Sequence, residues 1–169
     1  GIDAGTECVK VVILDVERTV IGRSVVPARG SFQVCIQEAM GTALEEAQIS
    51  ARQLRAACTT GFAASCSPLS TLSACETACH ARGAFSHLAR PGTVIDVSGR
   101  EPKVIHVGPD GRSVASRSVR KCAVGIGTFL MFTARHLDVH PTRLMDLAVG
   151  AEKPARIGSY CSVFAEVEV

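Results

Sequence analysis

The feature that most constrains the fold of this chain is an internal repeat. "IDAGTECVKV", which begins at Ile2, and "IDVSGREPKV", which begins at Ile95, each place an aspartate after an apolar residue and a lysine seven positions later. In both copies the lysine lies in an apolar segment typical of a second strand, and a polar or glycine-rich turn follows. Two matched hairpin patterns favour a duplicated structural unit over coincidence.

Helices are predicted between and after the two copies. Apolar residues recur at helical spacing over 31–48, and Ser50 and Gln53 have the spacing of a capping box for a short helix. A strand is expected over 56–60 and a second helix over 76–89. Strands and helices thus alternate along the chain, which predicts an α/β fold with mixed sheets.

The repeat divides the chain into two subdomains, residues 1–92 and residues 93–169. In the second, Pro141 is expected to open a helix that turns Leu144, Leu147 and Ala148 inward. The sequence does not begin with methionine, and its last residues stop in the middle of an apolar pattern. We therefore expect a piece of a longer protein, in which the second subdomain is incomplete.

Composition restricts the classes of function. The 169 residues are 47% hydrophobic and 20% charged, which is typical of a globular chain with a sizeable core. A formal net charge of +2 gives no support for binding to nucleic acid or to a membrane surface, so neither partner is expected. Eight cysteines without a visible export signal indicate a reducing compartment, and we predict the cytoplasm.

The turn after each aspartate has residues suited to binding phosphate. Backbone N–H groups in tight turns cradle phosphate oxygens, and a carboxylate holds a metal ion or orients a water molecule. A single such turn is better explained as an ordinary hairpin, but the repeat favours a pair of phosphate loops that clamp a nucleotide across a cleft. The candidates are Asp3, Gly5, Thr6 and Lys10 in the first turn, and Asp96, Ser98, Gly99 and Lys103 in the second.

Two cysteines stand beside predicted helix starts. Cys122 precedes Gly125 and Gly127, which open a helix with an N-terminus suited to an anion, and Cys161 precedes the helix start "SVFAE". A helix N-terminus favours the thiolate over the thiol. One chain supplies too few thiolates for an iron–sulfur cluster, whereas two copies supply the four that a [4Fe–4S] cluster requires. Spacing alone leaves open whether Cys122 is a packed thiol, a nucleophile or a metal ligand.

A third group contains Cys75, Cys79 and His80, whose spacing is compatible with metal ligands but is better explained by packed helix residues. Glu76, in the same segment, is a candidate for positioning water or magnesium. A solvated carboxylate at a helix end is an equally good interpretation of Glu76.

Five segments resemble motifs of the BadF/BadG/BcrA/BcrD ATPase family, which comprises 2-hydroxyacyl-CoA dehydratase activators and the ATP-binding subunits of benzoyl-CoA reductases. In chain order they are "GIDAGTECVK", "CETACHARGA", "IDVSGREPKVI", "KCAVGIGTFL" and "YCSVFAEVEV". That family belongs to the actin, Hsp70 and sugar-kinase superfamily. The resemblance therefore implies a duplicated ribonuclease H-like fold whose C-terminal part is truncated here.

The resemblance also implies a function: an ATP-hydrolysing iron–sulfur protein that drives low-potential electrons to a CoA-thioester dehydratase or reductase. The implied cofactors are ATP, Mg²⁺ and a [4Fe–4S] cluster that bridges two subunits through Cys122 and Cys161 of each. The implied partners are a second copy or a paired homologous subunit, the dehydratase or reductase component, and ferredoxin or flavodoxin as electron donor.

Site residues follow from the matching motifs. Catalytic roles fall on Asp3, Asp96 and Glu76. Nucleotide contacts fall on Gly5, Thr6, Glu7, Cys8, Lys10, Ser98, Gly99, Arg100, Lys103, Gly125 and Gly127. The chain departs from the family where it reads Gly61-Phe62-Ala63-Ala64, since family members commonly carry an arginine there.

Two other functions remain open at the level of sequence. The first is a sugar or small-acid kinase of the same superfamily, which would need an acceptor-hydroxyl pocket and no cluster. The second is a nucleotide-binding regulatory module without catalysis, in which the cysteines would be inert.

Overall fold

The computed structural model describes residues 1–69, 71–99, 101–118, 125–158 and 160–169. The chain forms two compact units, Gly1–His87 and Leu88–Val169. Both units combine a β-sheet with helices, so the predicted α/β class is confirmed.

The first unit is built on a mixed five-stranded sheet. Its strands are β1 (Ile2–Ala4), β2 (Cys8–Leu14), β3 (Val20–Pro27), β4 (Cys58–Thr60) and β5 (Leu72–Ser73), in the spatial order β3-β2-β1-β4-β5. Strand β1 is antiparallel to β2 and parallel to β4. The central position of β1 places its C-terminal end between two neighbouring strands.

The core of the first unit lies between this sheet and helix α1 (Phe32–Ala47). Alternate residues of β2, such as Val9 and Val11, are buried with Ile36 of the helix, as expected for a strand with one covered face. Helix and sheet approach closely at β3, where a Cβ added to Gly22 would lie 2.3 Å from the Ala43 carbonyl oxygen. The helix predicted over 31–48 is confirmed.

Short helical elements complete the first unit. The predicted capping box is present, since the Ser50 N–H donates to Gln53 Oε1 over 2.8 Å at a 3₁₀ turn, Ala51–Gln53. A second 3₁₀ turn, Ala64–Cys66, follows β4. Helix α2 (Glu76–Leu88) forms within the range predicted for it.

The second unit contains a three-stranded antiparallel sheet and three helices. The strands are β6 (Gly92–Asp96), β7 (Lys103–Val107) and β8 (Ser113–Ser118), and the helices are α3 (Ile126–His136), α4 (Arg143–Val149) and α5 (Ser162–Glu168). Helices α3 and α5 pack together through buried Ala134 and Ala165. A polar contact joins them as well, because His136 Nδ1 lies 3.1 Å from Glu166 Oε1.

The sequence repeat is a structural repeat. In the first unit Ile2 pairs with Val11 and Asp3 with Lys10, and in the second Ile95 pairs with Val104 and Asp96 with Lys103. Each hairpin also carries an irregularity at the matching place, between Ile13 and Leu14 in β2 and between His106 and Val107 in β7. A β-bulge kept at the same position in both copies is a strong indication of duplication.

The two hairpin turns follow the same backbone path. Asp15 N–H donates to the Thr19 carbonyl over 3.0 Å, and Gly108 N–H donates to the Arg112 carbonyl over 2.8 Å. Within these turns Arg18 has φ 67° and Gly111 has φ 76°. The turn predicted at Gly108–Gly111 is therefore confirmed, and it has a counterpart in the first unit.

One prediction for the second unit is wrong. Helix α4 begins at Arg143 rather than at Pro141, although Leu144 N–H donates to the Pro141 carbonyl over 3.2 Å just before it. Leu144 is partly buried, whereas Leu147 and Ala148 are exposed instead of buried. Their apolar side chains share the spacing of a buried face, but no described part of the chain covers that face.

None of the helices in the described part of the chain is long and apolar enough to span a membrane.

Candidate functional site

The first candidate centre lies at the end of β1. Asp3 is the middle residue of this strand, between two buried neighbours, and Lys10 stands opposite it in the ladder with β2. Lys10 Nζ donates to Asp3 Oδ2 over 2.9 Å. Both side chains keep part of their surface exposed, with relative exposures of 49% for Lys10 and 35% for Asp3, so a ligand can reach them from solvent.

Two glycines bring backbone close to the Asp3 carboxylate. Gly61 follows β4 with φ 92°, and a Cβ at this position would lie 2.6 Å from Asp3 Oδ1 and 2.7 Å from the Ala4 carbonyl oxygen. Gly5 lies in the turn after β1, where an added Cβ would lie 3.0 Å from the Cys8 carbonyl oxygen and 3.9 Å from Asp3 Oδ1. Position 61 accepts only glycine, because side chains rarely adopt this φ and the space is filled.

The charge of Lys10 is maintained by Asp3. Burial disfavours the ammonium, but the hydrogen bond and the negative charge of Asp3 outweigh it, so the pKa of Lys10 is raised above its ordinary value of 10.5. Cys8 contributes in the same direction to a smaller extent. Lys10 is therefore a cation throughout the neutral range, as a phosphate-binding group needs to be.

A buried hydroxyl and a thiol lie beside this centre. Thr60 pairs with Asp3 in the parallel ladder of β1 and β4, and its Oγ1 is buried. Burial raises the pKa of the Cys79 thiol above 9.0, the Thr60 hydroxyl opposes that rise, and Cys58, Cys75 and Asp3 add to it. Cys79 is accordingly a neutral thiol near neutral pH, which agrees better with a packed helix residue than with a thiolate ligand.

The other predicted residues of the first unit occupy the turn after β1 and the start of α2. Thr6 and Cys8 are partly buried, whereas Glu7 is exposed and its carbonyl accepts from Ala28 N–H over 2.9 Å. Glu76 is partly buried in the first turn of α2. Cys8 begins β2, so its backbone is fixed by the sheet while its side chain is only partly exposed.

The second candidate centre has the same plan in the second unit. Asp96 ends β6 and stands opposite Lys103, the first residue of β7. Between these strands, Ser98 Oγ donates to the Glu101 carbonyl over 2.9 Å and closes the turn. Arg100, the remaining predicted residue of this loop, lies outside the described residues.

This second loop contacts the start of α3. A Cβ added to Gly127, in the first turn of α3, would lie 2.6 Å from Gly99 Cα, so the two backbones touch. The Gly99 carbonyl accepts from both the N–H and the Oγ1 of Thr128, each over 3.4 Å. Gly125 is the N-cap of α3, and the predicted residues Gly99, Gly125 and Gly127 are thus brought together.

The predicted cysteine ligands are only partly located. Cys161 is the partly buried N-cap residue of α5, and its side chain makes no capping hydrogen bond. Cys122 lies outside the described residues. Within the ranges that the structure describes, no group of three or more His, Cys, Asp or Glu side chains could hold a metal ion. A cluster would therefore need additional ligands besides these described side chains.

Sequence reasoning missed three residues that shape these centres: Thr60, Gly61 and Thr128. Gly61 was recognisable only as the end of a strand, although a glycine in that place is a signal for close approach of backbone. Thr60 and Thr128 carry no signal of their own, since their roles depend on which loops come to lie beside them.

The chain matches known proteins along its whole length. The sequence profile described as the BadF/BadG/BcrA/BcrD ATPase family matches residues 1–169. The (R)-2-hydroxyglutaryl-CoA dehydratase activating ATPase of Acidaminococcus fermentans is 33% identical over 170 residues, which are 100% of this chain and 65% of that protein. A benzoyl-CoA reductase subunit of Thauera aromatica is 29% identical over 174 residues, which are 100% of this chain and 61% of that protein.

Solved structures give the same result. The crystal structure of the Acidaminococcus fermentans dehydratase component A has a TM-score of 0.90 and 32% identity, covering 99% of this chain and 64% of that one. The activator of the 2-hydroxyisocaproyl-CoA dehydratase from Clostridium difficile, with bound ADPNP, has a TM-score of 0.91 and 25% identity, covering 99% and 62%. The chain thus spans less than two thirds of the length of these relatives.

Proposed function

Because the chain belongs to the BadF/BadG/BcrA/BcrD ATPase family, we propose that its protein hydrolyses ATP and uses the energy to drive low-potential electrons to a CoA-thioester dehydratase or reductase. The observation that carries the proposal is the Asp–Lys pair at the end of a strand, present in the same register in both units. A carboxylate and an ammonium beside a glycine turn are the groups that a magnesium–phosphate complex needs.

The residues of each centre fit these cofactors. Asp3 and Asp96 offer carboxylate oxygens, which Mg²⁺ prefers, and Lys10 offers a permanent positive charge to phosphate oxygens. Mg²⁺, when bound, supplies charge neutralisation at the transferred phosphoryl group. In each unit the aspartate, Asp3 or Asp96, would hold such an ion or orient a water molecule, and the backbone of the glycine that follows, Gly5 or Gly99, would bind phosphate oxygens.

Cys161 fits a soft-metal site. Its thiol is not used to cap α5, it stands at a helix N-terminus, and it is partly accessible. Cysteine sulfur is the usual protein ligand of iron–sulfur clusters. We propose that Cys122 and Cys161 of two copies, or of two paired homologous subunits, hold one [4Fe–4S] cluster that receives electrons from ferredoxin or flavodoxin.

The first test of the proposal is the content of iron and acid-labile sulfide in the full-length protein after strictly anaerobic purification. We expect about four irons per dimer in the wild type. Cys122→Ser should lose this iron, whereas Cys66→Ser, which removes an exposed cysteine from the first unit, should keep it. A folded, anaerobically handled dimer without iron would overturn the cluster, and ATP turnover that requires an acceptor hydroxyl would point to a kinase instead.

A further inference from the structure

Helix α3 is hydrogen-bonded to the second phosphate loop through the carbonyl group of Gly99. The Gly99 carbonyl accepts from the N–H and from the hydroxyl of Thr128, each over 3.4 Å. Beside these hydrogen bonds, the backbones of Gly99 and Gly127 are in direct contact, because a Cβ on Gly127 would lie 2.6 Å from Gly99 Cα. Among the described residues, the contact therefore includes two donors on Thr128, the Gly99 carbonyl as acceptor and the touching backbones of two glycines.

This arrangement caps the helix. The first N–H groups of an α-helix have no partner within the helix and are usually satisfied by a side chain at the N-cap. Gly125, the N-cap of α3, has no side chain that could do so. The Gly99 carbonyl takes over this role at Thr128, with its negative end at the positive end of the helix dipole.

We propose that Thr128 is a positioning residue which ties α3 to the second phosphate loop, so that a nucleotide bound at Ser98 and Gly99 orders the start of α3. The inference rests on the proposed function, because it assumes that this loop binds phosphate. An ordered loop holds the Gly99 carbonyl in place, and a fixed carbonyl keeps the Thr128 N–H and hydroxyl engaged. Two glycines in contact leave no flexible side chain to absorb a shift of the loop.

The effect extends beyond the first turn of α3. Its last turn carries His136, whose Nδ1 lies 3.1 Å from Glu166 Oε1 of α5, and α5 begins directly after Cys161. Cys122 lies three residues before Gly125 in the sequence. A nucleotide that orders α3 would act on the helix that follows Cys122 in the sequence. Through the contact of α3 with α5, it would also act on the helix that follows Cys161.

The test is hydrogen exchange of the α3 amides in the full-length protein, with and without ADP or a non-hydrolysable ATP analogue, together with calorimetric titration of the same nucleotides. In the wild type, nucleotide should slow exchange at the start of α3 by roughly fivefold, the effect of about one hydrogen bond. Thr128→Val, which keeps the N–H donor but loses the hydroxyl, should show measurably less slowing and bind nucleotide with an affinity within about threefold of wild type. Thr128→Ser, which keeps the hydroxyl, should behave like the wild type.

Controls separate this inference from the proposed function. Thr42→Val is the same substitution in α1, where the hydroxyl donates to the Glu38 carbonyl of its own helix, and it should not alter the response of α3. Gly127→Ala disturbs the contact from the helix side and should also reduce the response. The inference is wrong if nucleotide binds but slows hydrogen exchange of the α3 amides equally in the wild type and Thr128→Val. It is also wrong if bound nucleotide leaves exchange in wild-type α3 unchanged. If calorimetry shows that no nucleotide binds, the proposed function fails and this inference falls with it.

Discussion

Lys10 Nζ lies 2.9 Å from Asp3 Oδ2, and the ladder of the second unit places Lys103 opposite Asp96 in the same register. In both units the aspartate stands near the end of its strand and the lysine on the neighbouring antiparallel strand. Cross-strand neighbours on one face of a sheet lie close enough to interact. The position of this Asp–Lys pair is therefore set by strand register, and in both copies a segment that contains glycine connects the two residues.

Asp96→Asn should abolish ATP turnover while leaving the fold and the cluster in place. The amide keeps the size of the side chain but loses the charge needed to hold Mg²⁺ or to orient water, so we expect kcat to fall by at least about 100-fold. Steady-state release of phosphate measures this. Asp138→Asn is a matched control, because Asp138 is an exposed residue of the same unit with φ 51°, a conformation that asparagine tolerates. Unchanged turnover in Asp96→Asn would contradict the assignment.

The ion pair of Asp3 and Lys10 should contribute a small stability that is constant across neutral pH. The pKa of Lys10 is raised in the folded protein, so the contribution is fully present below 10.5, its ordinary value, and is lost as the pH rises through the folded value. Both side chains are partly exposed, and we expect Lys10→Met to cost no more than about 1 kcal/mol. Urea unfolding of both proteins between about pH 7 and about pH 9.5 should give a constant difference in the free energy of unfolding. A difference that already shrinks within this range would show that the pKa of Lys10 is not raised.

Gly61→Ala should weaken binding of Mg²⁺ and nucleotide as well as stability. The new methyl group would meet Asp3 Oδ1 at 2.6 Å and would also force alanine into φ 92°. Gly30→Ala separates these two effects, because Gly30 has φ 71° and nothing within 4 Å of an added Cβ. We expect Gly30→Ala to cost about 1–2 kcal/mol of stability with little effect on nucleotide affinity, and Gly61→Ala to cost more and to lose affinity at least about tenfold. Equal losses in the two variants would mean that only backbone strain is at issue.

The contact between α1 and β3 should tolerate no side chain at Gly22. A Cβ there would lie 2.3 Å from the Ala43 carbonyl oxygen and 2.8 Å from Ala47 Cβ, so Gly22→Ala should destabilise the protein by about 1–3 kcal/mol. Gly41→Ala, within α1 and with nothing within 4 Å of the new methyl group, should instead stabilise it by about 0.5–1 kcal/mol. Thermal and urea unfolding of both variants would show the two opposite signs, and a stable Gly22→Ala would mean that helix and sheet separate easily.

Much of the fold could be predicted because the relevant information is local. The repeat is visible as an aspartate and a lysine at fixed spacing, and strand register converts that spacing into the pairs Asp3–Lys10 and Asp96–Lys103. Helix α1 follows from the spacing of its apolar residues, and the capping box at Ser50 from two residues three apart. In each case the interacting groups are neighbours in the sequence or in one hairpin.

The rest depends on contacts between distant segments. Gly99 was predicted in the second phosphate loop and Gly127 at a helix start, but nothing in the sequence indicates that their backbones touch. Thr60 gains its buried hydroxyl only because β4 pairs with β1 in parallel, a pairing that hydrophobic pattern alone does not reveal. Leu147 shows the opposite case, since its apolar spacing predicts burial that the described residues do not provide.

The turns of the two hairpins share a backbone path but not a single side chain. "DVER", from Asp15 to Arg18, and "GPDG", from Gly108 to Gly111, occupy equivalent places, and the left-handed conformation that glycine adopts freely in one is imposed on arginine in the other. The two turns share one hydrogen bond and one left-handed residue at equivalent positions, although their residues differ. Common descent of the two halves is thus visible in the residues of the strands, Ile-Asp and Lys-Val, and in the turns only in the backbone.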